Sequence, residues 1–222
     1  MEILEAVARR HSVRSYTDKK IEGEVLEALQ NEIALCNKES GLNIKLITND
    51  KEVFTGKLAE KGGFKGVNNY ILLTGKKSDD LQEKCGYYGE KIVLKAQMLG
   101  LNTCWVAGTY NRRKAKKNVD KGEKLVCVIA IGYGETQGKA HKNTLIDCLF
   151  RLRGDMPSWF MEGMQCAMQA PTAMNKQKFL FTMLDNNKVK AEAKGRFCSG
   201  IDLGIVKLHF EIGAGDAEYE LV

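Results

Sequence analysis

The chain has 222 residues, 44% of them hydrophobic, and a formal net charge of +6. This composition is ordinary for a globular protein with one well-buried core or two small packed lobes, and its longest apolar runs are far too short to span a bilayer. The positive charge suits an anionic ligand or partner without choosing between them. The N-terminus carries acidic residues and no leader-like apolar stretch, so we expect no secretion signal and a cytoplasmic protein.

The first half of the chain has the pattern of alternating helices and strands. Residues 24–36 carry apolar side chains at spacings of three and four, which predicts a helix. A long helix is predicted over 81–99, and Gly100 ends it in a left-handed conformation. Residues 124–131 are the most strand-like run in the chain. The other predicted elements are a short helix over 2–9, strands over 42–48 and 70–74, an irregular stretch over 57–66 and a basic segment over 111–118.

The pattern restarts after Pro157, which suits the first turn of a helix because its missing N–H is not needed there. The elements predicted after it are a helix over 158–169, a strand over 178–184, a helix over 204–212 and a strand over 217–221. Helix–strand–helix–strand therefore occurs twice, in 24–131 and in 157–221. We interpret this as a diverged internal duplication with halves 1–150 and 151–222, packed as one unit. Chance similarity of two α/β stretches is the alternative.

Cysteine and histidine do not indicate a metal site. The seven cysteines are scattered and contain no Cys-x-x-Cys pair, which is typical of reduced thiols in a cytosol. None of the three histidines has a close Cys or His at metal-ligand spacing. We therefore predict no structural metal.

A basic segment with the sequence Arg-Arg-His-Ser-Val-Arg-Ser-Tyr covers residues 9–16. In an extended segment, side chains two residues apart share one side, so Arg10, Ser12 and Arg14 fall together. Guanidinium groups match phosphate oxygens with two parallel hydrogen bonds. The segment predicts a phosphate site, with a solvated basic turn as the alternative.

A second segment, Ala-Pro-Thr-Ala-Met-Asn-Lys-Gln-Lys over 170–178, leaves a helix and enters a strand. Pro171 ends the helix, and the small residues beside it let the backbone approach a flat ligand. The amides of Asn175 and Gln177 can bind the edge of a heterocycle. An ordinary connecting loop is the alternative.

Two further segments follow the long helix and the strongest strand. The first is Leu-Asn-Thr-Cys-Trp-Val-Ala-Gly over 101–108, and the second is Ile-Gly-Tyr-Gly over 131–134, with Lys139, His141 and Lys142 after it. Residues 132–139 are not a P-loop, because the glycine spacing is one residue too long and Ala140 stands where Ser or Thr is required. The basic run 112–117 has no aromatic platform beside it, so we expect it to be solvated and predict no nucleic-acid partner.

Together these four segments resemble the FMN-dependent nitroreductases. Members of that family open with Arg-Arg/His-Ser-x-Arg/Lys-x-Tyr/Phe, which residues 10–16 match, and residues 101–108 match the segment that lies beside the flavin. The Gly-Tyr-Gly at 132–134 with its basic tail and the Ala-Pro-Thr-x-x-Asn-x-Gln at 170–177 match as well. The resemblance implies an α+β nitroreductase-like fold, with an antiparallel or mixed central sheet flanked by helices.

The order of the segments departs from the common pattern. In common members the Ala-Pro-Ser-x-x-Asn motif follows the first long helix, whereas that place here holds Cys-Asn-Lys-Glu-Ser-Gly over 36–41. The motif occurs instead in the second copy. Common members are homodimers with the flavin at the subunit interface, so the resemblance implies a single-chain branch that folds as a pseudo-dimer with one complete site. Such a chain can be a monomer, although a homodimer stays possible.

The resemblance also implies roles for individual residues. Arg10 and Ser12 would bind the FMN phosphate, and Arg14 would lie near the ribityl chain and the N1/O2 edge of the ring. The implied cofactor-binding set is Arg10, His11, Ser12, Arg14, Trp105, Val106, Ala107, Gly108, Lys139, His141, Lys142, Pro171, Thr172, Asn175 and Gln177. Which of the three basic residues after 138 reaches the phosphate stays open. No catalytic side chain and no metal ligand are implied, since the flavin carries the chemistry.

The implied activity moves electrons from NAD(P)H through flavin N5 to an electron-poor small molecule such as a nitroaromatic or a quinone. The alternative is a flavin-binding protein without turnover, for storage or sensing. The sequence does not choose between NADH and NADPH, and it does not name the acceptor.

Overall fold

The structure is a computed structural model that describes residues 1–152 and 154–222. Within these residues, no helix combines the length and the apolar character needed to cross a membrane. The helices and strands in chain order are α1 (Ile3–Arg9), α2 (Gly23–Ser40), β1 (Lys45–Ile47), α3 (Lys57–Lys61), β2 (Asn69–Lys76), α4 (Leu81–Met98), β3 (Asn102–Val106), α5 (Arg112–Ala115), β4 (Glu123–Gly132), β5 (Phe150–Arg151), α6 (Ser158–Ala167), β6 (Phe179–Met183), β7 (Lys188–Ala193), α7 (Ser199–Ala214) and β8 (Glu220–Leu221).

The chain divides into two compact units. Unit A contains Arg9–Leu81 and Lys91–Ala140, and unit B contains Met1–Ala8, Gln82–Glu90 and His141–Val222. Helix α4 therefore contributes its first half to unit B and its second half to unit A. The boundary predicted at residue 150 separates the two sequence copies and not these two units, and it stays a prediction.

Unit A is built on an antiparallel sheet with the strand order β1-β2-β4-β3. Strands β2 and β4 lie at its centre, because their nearly continuous apolar runs suit strands that are buried on both faces. Tyr70 of β2 pairs with Ala130 of β4. An aromatic cluster packs against the sheet, where the Phe54 ring lies 5.1 Å from Phe64 and 6.2 Å from Tyr70.

Unit B is built on a mixed sheet with the strand order β5-β6-β7-β8. The central pair β6–β7 is antiparallel, and the outer pairs β5–β6 and β7–β8 are parallel. Aromatic rings fill its core. Phe181 of β6 stacks on Phe210 of α7 at 4.6 Å, and Trp159 of α6 stacks on Tyr219 at 5.0 Å.

Helix α7 packs unusually close to its neighbours, and glycines make this possible. A Cβ atom on Gly204 would lie 2.0 Å from the Glu83 carbonyl oxygen in α4, and one on Gly213 would lie 2.5 Å from the Glu162 carbonyl oxygen in α6. A larger residue at either position would therefore force the helices apart.

Most predicted elements are present, and the differences have physical reasons. The helices predicted over 24–36, 81–99 and 158–169 and the strands over 70–74, 124–131 and 178–184 are found close to those bounds. Strand β7 was not predicted, because three of the six residues in its sequence Lys-Val-Lys-Ala-Glu-Ala are charged and only Val189 and Ala191 are buried. Strand β5, of two residues, and strand β3, of five, were not predicted either. Helix α7 begins at Ser199 rather than at 204, because its first turn is rich in glycine and polar residues.

A buried histidine and a buried carboxylate meet between the helices of unit B. His209 of α7 and Glu90 of α4 are both fully buried, and His209 Nε2 lies 3.0 Å from a carboxylate oxygen of Glu90. The other ring nitrogen, Nδ1, lies 3.2 Å from the Cys166 carbonyl oxygen in α6. A carbonyl only accepts hydrogen bonds, so Nδ1 carries a proton and donates, and a further proton is shared between Nε2 and the carboxylate. This network joins three helices.

We predict that Glu90→Ala lowers the free energy of unfolding by about 3–5 kcal/mol, because it leaves a buried imidazole without its partner. The matched control is Glu39→Ala. Glu39 of α2 forms a partly exposed ion pair of 3.0 Å with Lys91, the residue that follows Glu90 in α4, and the substitution removes that pair. That change should cost at most about 1 kcal/mol. Urea unfolding followed by circular dichroism measures both values. Similar losses for the two variants would contradict a special role for the buried pair.

Candidate functional site

The predicted site residues fall into two groups, one in each unit. We call residues 10–16 the arginine segment and residues 171–177 the amide loop. The arginine segment lies in unit A together with Trp105, Val106, Ala107, Gly108 and Lys139. The amide loop lies in unit B together with His141 and Lys142.

The backbone of the arginine segment is hydrogen-bonded to three separate parts of unit A. The Val13 N–H donates to the Thr103 carbonyl of β3 at 3.0 Å, and the Tyr16 N–H donates to Lys65 at 3.0 Å. The Thr17 N–H donates to the Tyr133 carbonyl just after β4, at 2.8 Å. The segment therefore runs beside the edge strand β3 in the extended form that the sequence predicted.

The side chains of Arg10, Ser12 and Arg14 all lie near the Cys104 thiol of β3. Burial raises the pKa of Cys104, whereas the Arg14 guanidinium, a hydrogen bond of Ser12 and the Arg10 guanidinium each act to lower it. Ser12 and Arg14 are exposed, while Arg10 is buried. The structure thus brings two cations and a hydroxyl together, as the period-two argument requires. His11, between them, is half-buried.

Tyr16 fixes the end of the arginine segment in the core. Its hydroxyl donates to the Val13 carbonyl at 2.7 Å and lies 3.3 Å from the Ala130 carbonyl of β4. Burial raises the pKa of Tyr16 well above its usual range, so the phenol is neutral and acts as a hydrogen-bond donor. The backbone of Tyr16 also explains why Gly66 is glycine: a Cβ there would lie 2.2 Å from the Tyr16 carbonyl oxygen.

The chain after β3 and the chain around residue 138 complete this group. Trp105 is half-buried and Val106 is buried, whereas Ala107 and Gly108 are exposed, with open space where a Gly108 Cβ would lie. Gly138 has a φ of +74°, and a Cβ on it would lie 2.8 Å from the His11 Cβ and 3.1 Å from the Ser12 carbonyl oxygen. The chain at residue 138 therefore packs on the arginine segment, which puts the exposed Lys139 beside it.

The amide loop has an uncommon backbone conformation. Three of its residues other than glycine have positive φ angles: Met174 at 54°, Asn175 at 52° and Gln177 at 45°. Side chains usually disfavour this left-handed region, so such a run persists only where surrounding contacts hold it. Strain of this kind concentrates at ligand sites and switch regions.

Three side chains provide those contacts. The Ala173 N–H donates to both carboxylate oxygens of Asp202 in α7, at 3.0 and 3.1 Å, and the Gln177 N–H donates to Thr172 Oγ1 at 3.0 Å. The buried Gln177 amide donates to the Met168 carbonyl at 3.1 Å and to Asn143 Oδ1 at 3.3 Å. Its oxygen accepts from the Thr144 N–H at 2.6 Å.

Gln177 therefore uses its amide on the protein itself, whereas other polar groups of the loop lie nearer the surface. Asn175 is exposed, and its Nδ2 donates to the Lys142 carbonyl at 2.8 Å. His141 Nε2 lies 3.3 Å from the Gln169 carbonyl oxygen. Pro171 and Thr172 are half-buried. The structure thus gathers His141, Lys142 and the amide loop in unit B, and Lys139 with the arginines in unit A.

Sequence reasoning missed two contributors. Asp202 carried a weak signal, as an acidic residue in the first turn of a helix, where carboxylates are common for reasons unrelated to a loop 29 positions earlier. Cys104 was part of a motif, but nothing in the sequence showed that it lies among the arginines. In the described part of the chain, no three His, Cys, Asp or Glu side chains are placed to hold a metal ion.

Comparison with known proteins gives a family match over nearly the whole chain. A family model described as "Putative TM nitroreductase" matches residues 2–214. Among curated proteins, none matches this sequence.

Solved structures of nitroreductases share the fold. A "putative nitroreductase" from Thermotoga maritima has a TM-score of 0.68 at 21% identity, covering 96% of this chain and 83% of that one. A "putative nitroreductase" in complex with FMN from Desulfovibrio desulfuricans has a TM-score of 0.55 at 17% identity, covering 71% and 99%. An FMN-dependent nitroreductase from Clostridium difficile has a TM-score of 0.50 at 24% identity, covering 62% and 90%. These likenesses confirm the predicted nitroreductase-like fold of helices and mixed sheets.

We predict that Asp202→Asn makes stability less dependent on pH. Burial raises the pKa of Asp202 to about 6, opposed by the hydrogen bond from Ala173. Since this lies above the value of about 3.9 for an exposed aspartate, the folded chain binds the proton more tightly than the unfolded chain does. The contribution of Asp202 to stability is therefore greatest below about pH 4 and is lost as the pH rises through about 6.

Asparagine keeps an oxygen for the Ala173 N–H but cannot ionise. We therefore expect the difference in Tm between pH 5 and pH 7.5, measured by differential scanning calorimetry, to change in Asp202→Asn relative to the unmodified chain, with the variant gaining stability at the higher pH. The exposed Asp216 provides the control variant Asp216→Asn, which should leave the difference unchanged. Identical pH dependence in all three proteins would rule out a half-buried Asp202 that titrates with a raised pKa.

Proposed function

Since the chain belongs to this TM nitroreductase family, we propose that it is an FMN-dependent oxidoreductase that moves electrons from NAD(P)H through flavin N5 to an electron-poor acceptor such as a nitroaromatic or a quinone. The observation that carries the proposal is the gathering of Arg10, Ser12 and Arg14 around Cys104, on a segment that three sets of backbone hydrogen bonds hold in place. The FMN in the Desulfovibrio structure and the FMN dependence of the Clostridium protein support it.

The donor set of the arginine segment fits the phosphate of FMN. A phosphate monoester carries close to two negative charges and oxygens that accept hydrogen bonds, and guanidinium groups meet it with charge-assisted bonds. Arg10 is held by burial, which lowers the entropy it would lose on binding, while Ser12 and Arg14 are open to a ligand. The adjacent Lys139 adds a fourth donor on the chain that packs at Gly138.

Other residues of the proposed site suit a flat ring. When bound, FMN supplies reversible hydride transfer at N5. Ala107 and Gly108 are small and exposed, and the space where a Gly108 Cβ would lie is open, so the backbone there can approach a ring atom closely. Arg14 holds a positive charge where reduction of the ring adds negative charge, which favours reduction. No side chain of the chain has to form a covalent bond or transfer a proton in this scheme.

The amide loop is the second part of the proposal. We infer that Thr172 and Asn175 contact the isoalloxazine ring of the same FMN, with Pro171 setting the direction of the chain. Gln177 has a positioning role, because its amide is engaged with Met168, Asn143 and Thr144. His141 and Lys142 support the loop through the Lys142 carbonyl that accepts from Asn175.

The topology of the two sheets supports the internal duplication. Apart from the short helix α3 between β1 and β2, the order α2, β1, β2, α4, β3 in the first half is repeated as α6, β6, β7, α7, β8 in the second. β1 and β2 are antiparallel, as are β6 and β7. β2 and β3 run in the same direction, since both are antiparallel to β4, and β7 and β8 are likewise parallel. A second copy within residues 151–222 that has lost the equivalent of β4 has this pattern. The amide loop then occupies the place in the second copy where common members carry their Ala-Pro-Ser-x-x-Asn motif.

The proposed function is tested by reconstitution. Purified protein should take up FMN and turn yellow, NADH or NADPH should bleach that colour, and a quinone should restore it. A yellow protein that no nicotinamide bleaches would indicate the flavin-binding alternative without turnover. A protein that does not take up FMN contradicts both. We expect the enzyme to work in the cytoplasm, where thiols such as its seven free cysteines stay reduced.

We predict that Arg14→Ala weakens FMN binding and makes the bound flavin harder to reduce. Loss of a charge-assisted contact of about 1.5–3 kcal/mol corresponds to a midpoint potential lower by about 30–60 mV for a two-electron couple. Spectroelectrochemical titration of the reconstituted protein measures this. Arg113→Ala, which removes an exposed arginine on α5, is the matched control and should leave the potential unchanged. An unchanged potential in Arg14→Ala would contradict the assigned role.

We also predict one FMN per chain, and that Asn175→Ala weakens binding of that same FMN by about tenfold through loss of its ring contact. Equilibrium dialysis gives both the stoichiometry and the affinity. The control is Asn187→Ala, in the turn between β6 and β7, which should not change the affinity. Two FMN per chain, or full affinity in Asn175→Ala, would overturn the view that both halves serve one flavin.

A further inference from the structure

A cleft in unit B lies against the amide loop, on residues to which the proposed function gives no role. Its volume is about 180 Å³. Six of the residues that line it decide its chemistry: Met174, Lys176, Lys178, Arg196, Phe197 and Asp202. They come from the amide loop, the residue before β6, the turn before α7 and the first turn of α7.

The cations of the cleft differ from the neighbouring lysines in having no carboxylate partner. Lys188 pairs with Glu220 at 2.8 Å, and Lys190 and Lys194 both pair with Glu192 at 3.2 and 3.5 Å. Across the described residues, the side chains of the three cleft cations, Lys176, Lys178 and Arg196, form no ion pair with Asp or Glu. The nearby lysines of unit B thus have carboxylate partners among the described residues, whereas the three cations that line the cleft do not.

The one carboxylate in the lining, Asp202, carries at most one negative charge against the three cations. Both oxygens of Asp202 accept from the Ala173 N–H, which is the contact that holds the amide loop. The cleft therefore keeps an excess of positive charge, and it attracts an anion.

Two large apolar side chains are exposed at the same place. Phe197 is 63% exposed and Met174 is 69% exposed, although both are of types usually covered by protein. An aromatic face and a thioether offer stacking and sulfur–ring contacts to a flat ligand. Their position beside unpaired cations suits a ligand that has both a ring and a negative group.

We propose that this cleft binds an aromatic ring that carries a phosphate or a carboxylate, with the anionic group on Lys178 and Arg196 and the ring against Phe197. The volume fits a single substituted ring and is below the range of about 300–1,000 Å³ for sites that enclose drug-sized ligands. The cleft therefore takes one end of a dinucleotide or a small free anion. The inference uses residues of unit B alone, and it stands whether or not FMN binds.

Calorimetric titration of the full chain, with FMN present to fill any flavin site, tests the proposal. The probes are 4-nitrobenzoate, adenosine 2′-phosphate and uncharged nitrobenzene. We expect at least one of the two anions to bind clearly more tightly than nitrobenzene, with an affinity that falls as salt is added. Equal affinity for nitrobenzene and both anions, or no dependence on salt, would overturn the proposal.

The variant Lys178→Ala/Arg196→Ala should raise the Kd of the bound anion by about tenfold or more, because two charge-assisted contacts are lost. The matched control is Lys190→Ala, which removes a paired lysine from β7 and should leave Kd unchanged. If circular dichroism shows that the double variant is unfolded, two single variants, Arg196→Gln and Phe197→Ala, are measured in its place. An unchanged Kd in folded cleft variants would overturn the proposal, since the anion would then bind elsewhere.

The two sources of the anion are distinguished by the probes. Binding of adenosine 2′-phosphate, with a NADPH-over-NADH preference that the double variant loses, assigns the cleft to the phosphate end of the donor. Binding of 4-nitrobenzoate alone assigns it to an anionic acceptor. A protein that fails to take up FMN but still binds either anion through Lys178 and Arg196 would contradict the proposed function and leave the cleft intact.

Discussion

The hydrogen bonds between the backbone of residues 13–17 and three other parts of unit A are the constraint on which the proposed phosphate site depends. Val13, Tyr16 and Thr17 each donate to a different partner, on β3, near residue 65 and just after β4. An extended segment that is held at three points cannot rotate about its own axis. Side chains two residues apart therefore stay on the same side of the segment. That is why a flexible basic stretch becomes a fixed arrangement of two guanidiniums and a hydroxyl, and why Tyr16 is buried at its end.

The amide loop differs from the arginine segment, because its strained backbone is held outside any α-helix or β-strand. Its left-handed residues would relax in an isolated loop, and each costs of order 1 kcal/mol or more. Asp202 and Gln177 oppose that relaxation from two sides, one from α7 and the other through the end of α6 and residues 143–144. Buried polar groups that are fully satisfied in this way fix one conformation. A loop fixed before its ligand arrives loses less entropy on binding.

Sequence reasoning reached the family and most elements because those rest on local patterns. The apolar runs of β2 and β4 and the stripes of α2 and α4 encode their own structure, and the four motifs were each contiguous in the chain. What it missed depends on distant contacts. The amide of Gln177 is hydrogen-bonded to Thr144, Asn143 and Met168, and no spacing rule encodes that neighbourhood. The sequence likewise does not show that Lys178 and Arg196 form no ion pair with the described carboxylates, because lysine and glutamate are both common in the chain.

Under the proposed duplication, the described part of unit B has no counterpart of β4, and this explains why we propose one phosphate site per chain. In unit A, residues at and just after the end of β4 accept hydrogen bonds from the arginine segment and from the residue that follows it: Ala130 lies by the Tyr16 hydroxyl, and Tyr133 accepts from Thr17. In the described part of unit B, β7 pairs directly with β8, and no strand stands between them to offer such acceptors. A second arginine segment would therefore have unsatisfied backbone groups in unit B, which is costly. Under the proposed duplication, the second copy could keep a useful amide loop while losing the means to hold a phosphate-binding segment, so the two halves are complementary by construction.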